Sequence, residues 1–567
     1  MTLPLQITRT PRHCRGGSLF LYMHKRLPRV PKGLVILCLM AGLAGGCTGV
    51  GMTDKADPDT LPSAVQVPRD ASIPGNFSAQ SRLRFDSAGV ERFLASYPEM
   101  AEFGPSIRRF YRNRGYAYAW YDSRGRIESC MDLYNRILNL SDEGVPFHVP
   151  YLRTYRGMIE GDSTLQPSLI ADPMAEVMMT AQYLHYAKDA WKGLPESLSR
   201  ESEWYLPRPR TDYGRLLDSL ARSDGTVDAI GEPLPRQYRL LKEQLRRYRA
   251  WELGGEWQPI KTDRKRYALG DTGLAVAAIR RRLHQLGDLP SDNRSEAFDA
   301  MLDRGVRSFQ TRFGLRADGI IGAGMMRALN APLSMRIRQI VVNMERTRWM
   351  SAEPAGDHLV INIPQFELLV YRGDSLQWSC PVVVGKDANK TAIFQADMKY
   401  IVFSPWWNVP ASILEKEILP ALARNPAYLR QNELEWQGKS LRQRPGEGNA
   451  LGRVKFLFPN SFSMYLHDTP SKSLFREEKR AFSHGCIRVS EPRRLALYLL
   501  RNDTSWTPDR VDAAMTSGVE RFVTLRHPVP VSIVYFTAWV DGEGSLQFRD
   551  DIYRRDERLM EMIFSKK

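Results

Sequence analysis

Residues 464–489, MYLHDTPSKSLFREEKRAFSHGCIRV, decide how the C-terminal part of this chain folds and what it does. They hold two of the nine histidines, His467 and His484, and one cysteine, Cys486. A cysteine nucleophile needs a base for the thiol proton, N–H donors for the developing oxyanion and enough exposure to meet a substrate. Either histidine can supply the base, and Gly485 lets a substrate approach the backbone closely. The segment therefore predicts nucleophilic catalysis by Cys486.

The spacing leaves open which histidine is the base. On an extended strand His484 and Cys486 share a face, whereas His467 must reach the cysteine from a neighbouring strand after a long loop. Both arrangements are geometrically possible. Arg488 adds a positive charge that favours the thiolate and can pair with a substrate carboxylate.

The sequence around this segment predicts a β-rich domain over residues 334–548. Runs rich in Val, Ile, Tyr and Phe are bounded there by turn residues, as is typical of strands. They are HLVINIPQFELLVY, LQWSCPVVVG, MKYIVFSP, SFSMYLHD and VPVSIVYFTAWV.

One helical segment interrupts these strands. Residues 412–429, SILEKEILPALARNPAYL, have the composition of helix and turn, and the loop-like stretch RQRPGEGNALG comes after them. We therefore predict a lid insertion over residues 411–455. Residues 549–567, beyond the last strand, are predicted to be a C-terminal tail.

Two helical regions precede the strands. Residues 90–262 contain runs such as AEVMMTAQYLHYAKDAWKGL with apolar residues at helical spacing, which predicts a helical scaffold domain. Residues 263–333 predict a compact unit of three helices, with Gly287 at the C-terminal cap of the first. The predicted fold class is a multidomain α+β protein.

The N-terminus has the features of an export signal. Residues 1–32 carry seven Lys or Arg and no acid, which accounts for seven of the net charge of +16 and leaves +9 for the rest. The apolar run GLVILCLMAGLA follows, and then small residues and Cys47. This leader, residues 1–47, resembles a lipoprotein signal with Cys47 as the lipidation site. Ordinary cleavage and a retained anchor are the alternatives, and all three place the body in the cell envelope or periplasm.

A tether follows the leader. Residues 48–89 are rich in Pro, Ser, Asp and Gly and are predicted to be a disordered linker between the membrane and the enzyme.

Two motifs resemble known cell-wall families. Residues 263–333 resemble the three-helix peptidoglycan-binding domain, through their initial Gly-Asp, Phe-Gln, Gly-Leu and Asp-Gly pairs. His467, eighteen residues and then Cys486 within SHGCIR resemble the catalytic motif of L,D-transpeptidases of the YkuD type. PWWNVP at residues 405–410 and GNALGRVKF at residues 448–456 support this and resemble the large branch of that family, which adds a peptidoglycan-binding domain and an N-terminal helical scaffold.

The resemblance implies a role for each motif residue. Cys486 is the nucleophile, His467 the proton acceptor, and the backbone N–H groups of Gly485 and Cys486 form the oxyanion site. Further residues are implied to support the site or to bind substrate. The supporting residues are Ser483, His484 and Arg488, and the substrate-binding residues are Tyr465, Trp407 and Asn449.

The implied reaction is acyl transfer between peptidoglycan stem peptides. The thiolate attacks the third, diamino-acid residue of a tetrapeptide stem, releases D-alanine and leaves a thioester that an amine from another stem resolves. No cofactor and no metal is required. The implied partners are stem peptides, other wall-synthesis enzymes and a membrane at the N-terminus, with carbapenems as inhibitors and no nucleic acid.

Other functions remain open at this point. Water in place of the amine would make the chain an L,D-carboxypeptidase, and loss of catalysis would leave a wall-binding adaptor that uses residues 263–333. A metal site formed by His467, His484 and Cys486 has suitable ligand types but lacks the short ligand spacings of zinc motifs. Redox chemistry is disfavoured because no Cys-x-x-Cys pair exists, and Cys130 and Cys380 are expected to be packed bystanders.

Overall fold

The structure is a computed structural model that describes residues 83–564, except 123–124, 128, 145–147, 161–170, 223–232, 256 and 352–353. The predicted leader, Cys47 and nearly all of the predicted linker lie outside the described residues. The last seven residues of the predicted linker, 83–89, belong to the fold, because Phe85 is buried and the first helix begins at Ala88. In the described ranges, no helix is long and apolar enough to cross a bilayer.

The described part of the scaffold region is helical, as predicted. Its strands are β1 (Tyr121–Asp122) and β2 (Gly125–Arg126), and its helices are α1 (Ala88–Ser96), α2 (Gly104–Asn113), α3 (Ser129–Leu138), α4 (Leu152–Glu160), α5 (Pro173–Tyr186), α6 (Glu196–Glu201), α7 (Tyr213–Arg222) and α8 (Arg236–Gly254). Helix α5 is buried along most of its length, and its Glu176 carboxylate accepts the backbone N–H groups of Ala119 and Trp120 at 2.6 and 3.1 Å.

The next unit consists of three helices, as predicted for a peptidoglycan-binding domain. They are α9 (Leu274–Leu286), α10 (Ala300–Arg312) and α11 (Ala323–Leu329). Gly287 ends α9 in a left-handed conformation at φ 89°, and the Asp299 side chain caps α10 by accepting the N–H of Leu302 at 2.8 Å.

Helix α12 (Leu333–Arg348) joins the scaffold to the strands that follow. Arg348 donates to the backbone of Ala190 at 2.7 Å and to Tyr238 Oη at 2.8 Å, both in the scaffold. One turn earlier, Asn343 exchanges hydrogen bonds with Thr537 at 2.8 and 2.9 Å. These contacts are buried, so α12 fixes the scaffold and the β-rich part relative to each other.

The β-rich part is built on a nine-stranded sheet. Its strands are β3 (Asp357–Asn362), β4 (Glu367–Arg372), β5 (Ser375–Gly385), β6 (Gln395–Phe403), β10 (Val454–Leu457), β11 (Tyr465–His467), β12 (Ala481–Ser483), β13 (Ile487–Val489) and β14 (Arg521–Val534). Their order is β12-β5-β13-β11-β10-β6-β14-β3-β4, and β4 pairs back onto β5. Eight of the strands therefore form a closed ring, which leaves β12 outside it.

The predicted insertion lies between β6 and β10. It contains β7 (Trp407–Asn408), α13 (Ala411–Ile413), α14 (Leu419–Arg424), α15 (Tyr428–Gln431), β8 (Leu434–Gln437) and β9 (Ser440–Gln443). A small core of Ile418, Leu434 and Leu441 holds it together. Its predicted end at residue 455 is wrong by two residues, because β10 already pairs with β6 from Val454 onward.

The predicted C-terminal tail is also wrong. Besides β14, the elements after β13 are α16 (Pro492–Leu500), α17 (Pro508–Thr516), β15 (Ala538–Val540), β16 (Leu546–Phe548) and α18 (Arg555–Phe564). Leu559 and Ile563 of α18 are buried, and Asp556 forms a buried ion pair with Arg346 of α12 at 2.6 Å. Apolar residues four positions apart mark a helix face that packs on the core.

Candidate active site

The site is organised by the parallel pairing of β11 with β13. Leu466 lies opposite Ile487, and His467 lies opposite Arg488. Because side chains alternate along a strand, His467 and Arg488 point to one face while Leu466 and Ile487 are buried on the other. Cys486 immediately precedes Ile487 and therefore belongs to the same face as His467.

The Cys486 thiol is partly exposed beside Tyr465. Its Sγ donates to the backbone oxygen of Ser463 at 3.9 Å. Burial raises the pKa of Cys486, and hydrogen bonds from the Tyr465 backbone and side chain partly offset that rise. The thiol therefore stays protonated at neutral pH. Burial, and then the neighbouring Cys486, likewise raise the pKa of Tyr465.

A tight turn presents the cysteine. Gly485 has φ 119°, a conformation that residues with a side chain rarely adopt. Ser483 Oγ donates to the oxygen of Cys486 at 2.5 Å and accepts the Gly485 N–H at 3.2 Å. Thr391 Oγ1 donates to the Gly485 oxygen at 2.9 Å. Ser483 and Thr391 thus hold the turn. The N–H group of Gly485, predicted to be an oxyanion donor, is hydrogen-bonded to Ser483 Oγ.

His467 is buried and uncharged. Its Nδ1 lies 2.5 Å from the backbone oxygen of Asp468, which assigns the ring proton to Nδ1 and leaves Nε2 able to accept a proton. Burial lowers the pKa of His467 to about 4, the positive charge of Arg488 adds to this, and the Asp468 oxygen opposes it. His467 is therefore a neutral base at physiological pH.

His484 points away from Cys486. Its Nε2 lies 2.7 Å from Glu417 Oε1, on the insertion. An extended strand would place His484 on the same face as Cys486, but the positive φ of Gly485 breaks that strand and leaves His484 exposed. His467 is the histidine that shares a face with Cys486.

A cavity of about 250 Å³ lies between the insertion and the catalytic strands. Trp407 and Glu417 line it from the insertion side, and Arg488 and Thr469 line it from the strand side. Burial lowers the pKa of Arg488, which nevertheless remains a cation. Its Nε is buried, without a hydrogen-bond partner among the described residues.

Asn449 does not line this cavity. It is fully buried, and its side-chain nitrogen donates to the backbone oxygens of Pro405 at 3.1 Å and Arg444 at 2.8 Å. Its side-chain oxygen accepts the Leu451 N–H at 2.8 Å. The predicted substrate-binding role is wrong, because the Asn449 side chain is buried and its oxygen and nitrogen are both hydrogen-bonded to backbone groups. These bonds hold the loop after β9 in place.

The remaining candidates fall outside the site. Cys130 and Cys380 are buried, and burial raises the pKa of Cys380 to about 11, so both thiols are poor nucleophiles. Across the described ranges no three or more His, Cys, Asp or Glu side chains are grouped to hold a metal.

Glu417 is a site residue that the sequence did not indicate, because it lies 67 positions from His484.

Three family models match separate parts of the chain. A family model described as "L,D-transpeptidase catalytic domain" matches residues 356–511, and one described as "Scaffold domain" matches residues 105–245. A third, described as "Putative peptidoglycan binding domain", matches residues 272–329. The chain thus carries the catalytic domain of the L,D-transpeptidase family. It combines that domain with a scaffold domain and a peptidoglycan-binding domain.

Individual proteins show the same likeness. A Haemophilus influenzae protein named "Putative L,D-transpeptidase" is 29% identical over 243 residues, which cover 39% of this chain and 49% of that protein. The chain thus spans about half the length of this curated relative.

Solved L,D-transpeptidase structures are also similar to parts of this chain. An L,D-transpeptidase from Stackebrandtia nassauensis is 13% identical, with a TM-score of 0.21, and covers 48% of this chain and 97% of its own. The L,D-transpeptidase LdtMt1 in complex with imipenem is 18% identical, with a TM-score of 0.18, and covers 32% and 60%. At these TM-scores the likenesses add nothing to the assignment, which rests on the family models.

The neutral pair of Cys486 and His467 predicts a distinctive alkylation profile. Because the thiol pKa is raised and the His467 pKa is lowered to about 4, no thiolate–imidazolium pair forms at neutral pH. The rate of iodoacetamide alkylation at Cys486 should therefore rise about tenfold per pH unit from about pH 6 to 8. Peptide mapping of the alkylated full chain measures this rate, with Cys486→Ala as the blank. A plateau below pH 8 would show a preformed ion pair and contradict the assignment.

Proposed function

We propose that this chain is a peptidoglycan L,D-transpeptidase that forms a thioester on Cys486 and crosslinks stem peptides between their third, diamino-acid residues. The observation that carries the proposal is the partly exposed Cys486 thiol on the same strand face as the neutral base His467, inside an L,D-transpeptidase catalytic domain. That arrangement supplies a nucleophile and the group that activates it.

The first half-reaction forms the thioester. His467 Nε2 takes the thiol proton as Sγ attacks the carbonyl carbon of the third residue, and backbone N–H groups near Cys486 stabilise the oxyanion. The bond to D-alanine then breaks, and His467 returns the proton to the leaving amine. The second half-reaction reverses these steps: an acceptor amine attacks the thioester, His467 takes its proton, and Cys486 leaves as a thiol after reprotonation.

Location and partners complete the proposal. The basic and apolar leader supports export, with tethering at the envelope membrane through lipid on Cys47 or a retained anchor. The match of residues 272–329 to a peptidoglycan-binding family supports the wall as the partner. Carbapenems are the proposed inhibitors of this chain, as the family resemblance of the Cys486 motif implies. Other wall-synthesis enzymes are further proposed partners.

The proposed activity is tested by the products made from a purified disaccharide-tetrapeptide. The full chain should yield crosslinked dimers that lack one D-alanine, and both Cys486→Ala and His467→Gln should lower their rate at least about a hundredfold. Mass spectrometry of the products provides the measurement. His527→Gln is the matched control, since His527 is exposed on β14, and it should retain the wild-type rate.

The other functions give different products. Tripeptide without dimers would make the chain an L,D-carboxypeptidase. An unchanged substrate would contradict catalysis and favour the wall-binding adaptor.

We propose that the insertion favours attack on the thioester by the acceptor amine over attack by water. It covers the cavity beside Arg488 and contacts the catalytic turn through Glu417 and His484. Closure of a site over its substrate excludes water, which would otherwise hydrolyse the thioester.

Shortening the insertion tests this role. Val409 N and Leu441 O lie 2.9 Å apart, so a short Gly-Ser bridge can replace residues 411–440 without moving β10. The ratio of tripeptide to crosslinked dimer should then rise several-fold, because water reaches the thioester. Product mass spectrometry measures the ratio, and replacement of the exposed Arg430 by Gln provides the control. An unchanged ratio in an active variant would remove the lid role.

A further inference from the structure

The peptide bond between Gly485 and Cys486 is held in one orientation from the buried side of the turn. Its oxygen, on Gly485, accepts a hydrogen bond from Thr391 Oγ1 at 2.9 Å, and Thr391 is fully buried. Because a trans peptide is planar, its N–H points opposite to its C=O. The Cys486 N–H is therefore directed away from Thr391. Since the Gly485 N–H is bonded to Ser483, the Cys486 N–H is the predicted oxyanion donor whose direction this bond sets.

The direction of the Thr391 hydroxyl is itself fixed. Its oxygen accepts the backbone N–H of Gly385 at 2.9 Å, so its proton is left to donate to Gly485. Gly385 ends β5, and a Cβ at this position would lie 2.0 Å from the backbone oxygen of Asn389. The absence of a side chain therefore lets residues 385–391 close into the tight loop that brings Thr391 behind the turn.

Tyr553 joins the two ends of this loop. Its hydroxyl donates to the Gly385 oxygen and accepts the backbone N–H of Thr391 at 3.4 Å. Tyr553 is buried, and it belongs to the C-terminal segment between β16 and α18. It lies outside residues 356–511, which match the catalytic-domain family model. The C-terminal segment thus reaches the catalytic turn from beyond the matched domain.

Neighbouring groups hold Tyr553 in place. Its backbone N–H donates to Tyr535 Oη at 2.9 Å, and the two rings stack with their centroids 5.8 Å apart. The guanidinium of Arg555 lies 5.7 Å from the Tyr553 ring centroid and pairs with Glu203 of the scaffold at 2.5 Å. The support behind the turn therefore runs from the scaffold through the C-terminal segment to Thr391.

We propose that Tyr553 is a positioning residue: through Thr391 it fixes the peptide plane that aims the Cys486 N–H at the oxyanion. The inference rests on the proposed function and adds a residue outside the catalytic motif. Tyr553 lies behind the turn and acts only through Thr391. A donor that is already aimed stabilises an oxyanion without reorienting as the charge develops. A loosened peptide plane therefore slows the steps that form an oxyanion and spares those that do not.

Two reactions of Cys486 separate this role from a structural one. Acylation by imipenem passes through a tetrahedral oxyanion, whereas alkylation by iodoacetamide displaces iodide at a saturated carbon and forms no oxyanion. Both reactions need access to Sγ and loss of the thiol proton. The two rate constants are measured on the full chain at one pH, by mass spectrometry of the peptide that contains Cys486. The ratio of acylation to alkylation therefore follows the oxyanion donors.

Tyr553→Phe keeps the ring and removes the hydroxyl. It should lower the acylation-to-alkylation ratio about tenfold, less than the loss of about a hundredfold or more that follows removal of a whole donor, and it should leave alkylation within about twofold of the wild type. Thr391→Val should lower the ratio at least as much, and Thr391→Ser, which keeps a hydroxyl, should restore it. The matched control is Tyr498→Phe on α16, which removes a hydroxyl bonded to Asp357 at 2.7 Å and should keep the wild-type ratio.

The possible failures are distinguishable. An unchanged ratio in either Tyr553→Phe or Thr391→Val overturns the inference alone. So does a Tyr553→Phe variant in which acylation and alkylation fall together, since that pattern marks a general loss of structure around Cys486. A wild type that is alkylated at Cys486 but not acylated there overturns the proposed function and the inference together.

Discussion

The short parallel pairing of β11 with β13 is the constraint on which the active site depends. It places His467 and Arg488 opposite each other and sets Cys486 on the same face, although eighteen residues separate the histidine from the cysteine. A shift of one residue in this register would turn His467 into the core and Leu466 toward the substrate. The closed ring of strands resists such a shift, because β11 is held by β10 on one side and β13 on the other.

Burial at this face sets the chemistry of the resting state. The same removal from water raises the pKa of the Cys486 thiol and lowers that of His467 to about 4, so both groups are neutral before substrate binds. A neutral thiol is oxidised less readily than a thiolate would be.

Local sequence patterns predicted much of the fold and indicated the pair of His467 and Cys486. Helical spacing indicated the three helices of residues 263–333, and the cluster of His467 and Cys486 indicated a nucleophile with its base. Long-range contacts were not predictable: Glu417 contacts His484 across 67 positions, and Asn449 donates to the backbone of Pro405 across 44 positions. Helix α18 was missed although its apolar residues have helical spacing, and its buried Asp556 is stabilised by the distant Arg346 and Thr537, which local patterns do not indicate.

The most direct test of the account is the site at which a carbapenem acylates the full chain. Incubation with imipenem, followed by intact-protein mass spectrometry and peptide mapping, should show one adduct on the peptide that contains Cys486. The adduct should be absent from Cys486→Ala, and it should form more slowly in His467→Gln because the base is lost. An adduct on Cys130, Cys380 or a serine, or acylation of Cys486→Ala at the wild-type rate, would contradict the assignment of Cys486 as the nucleophile.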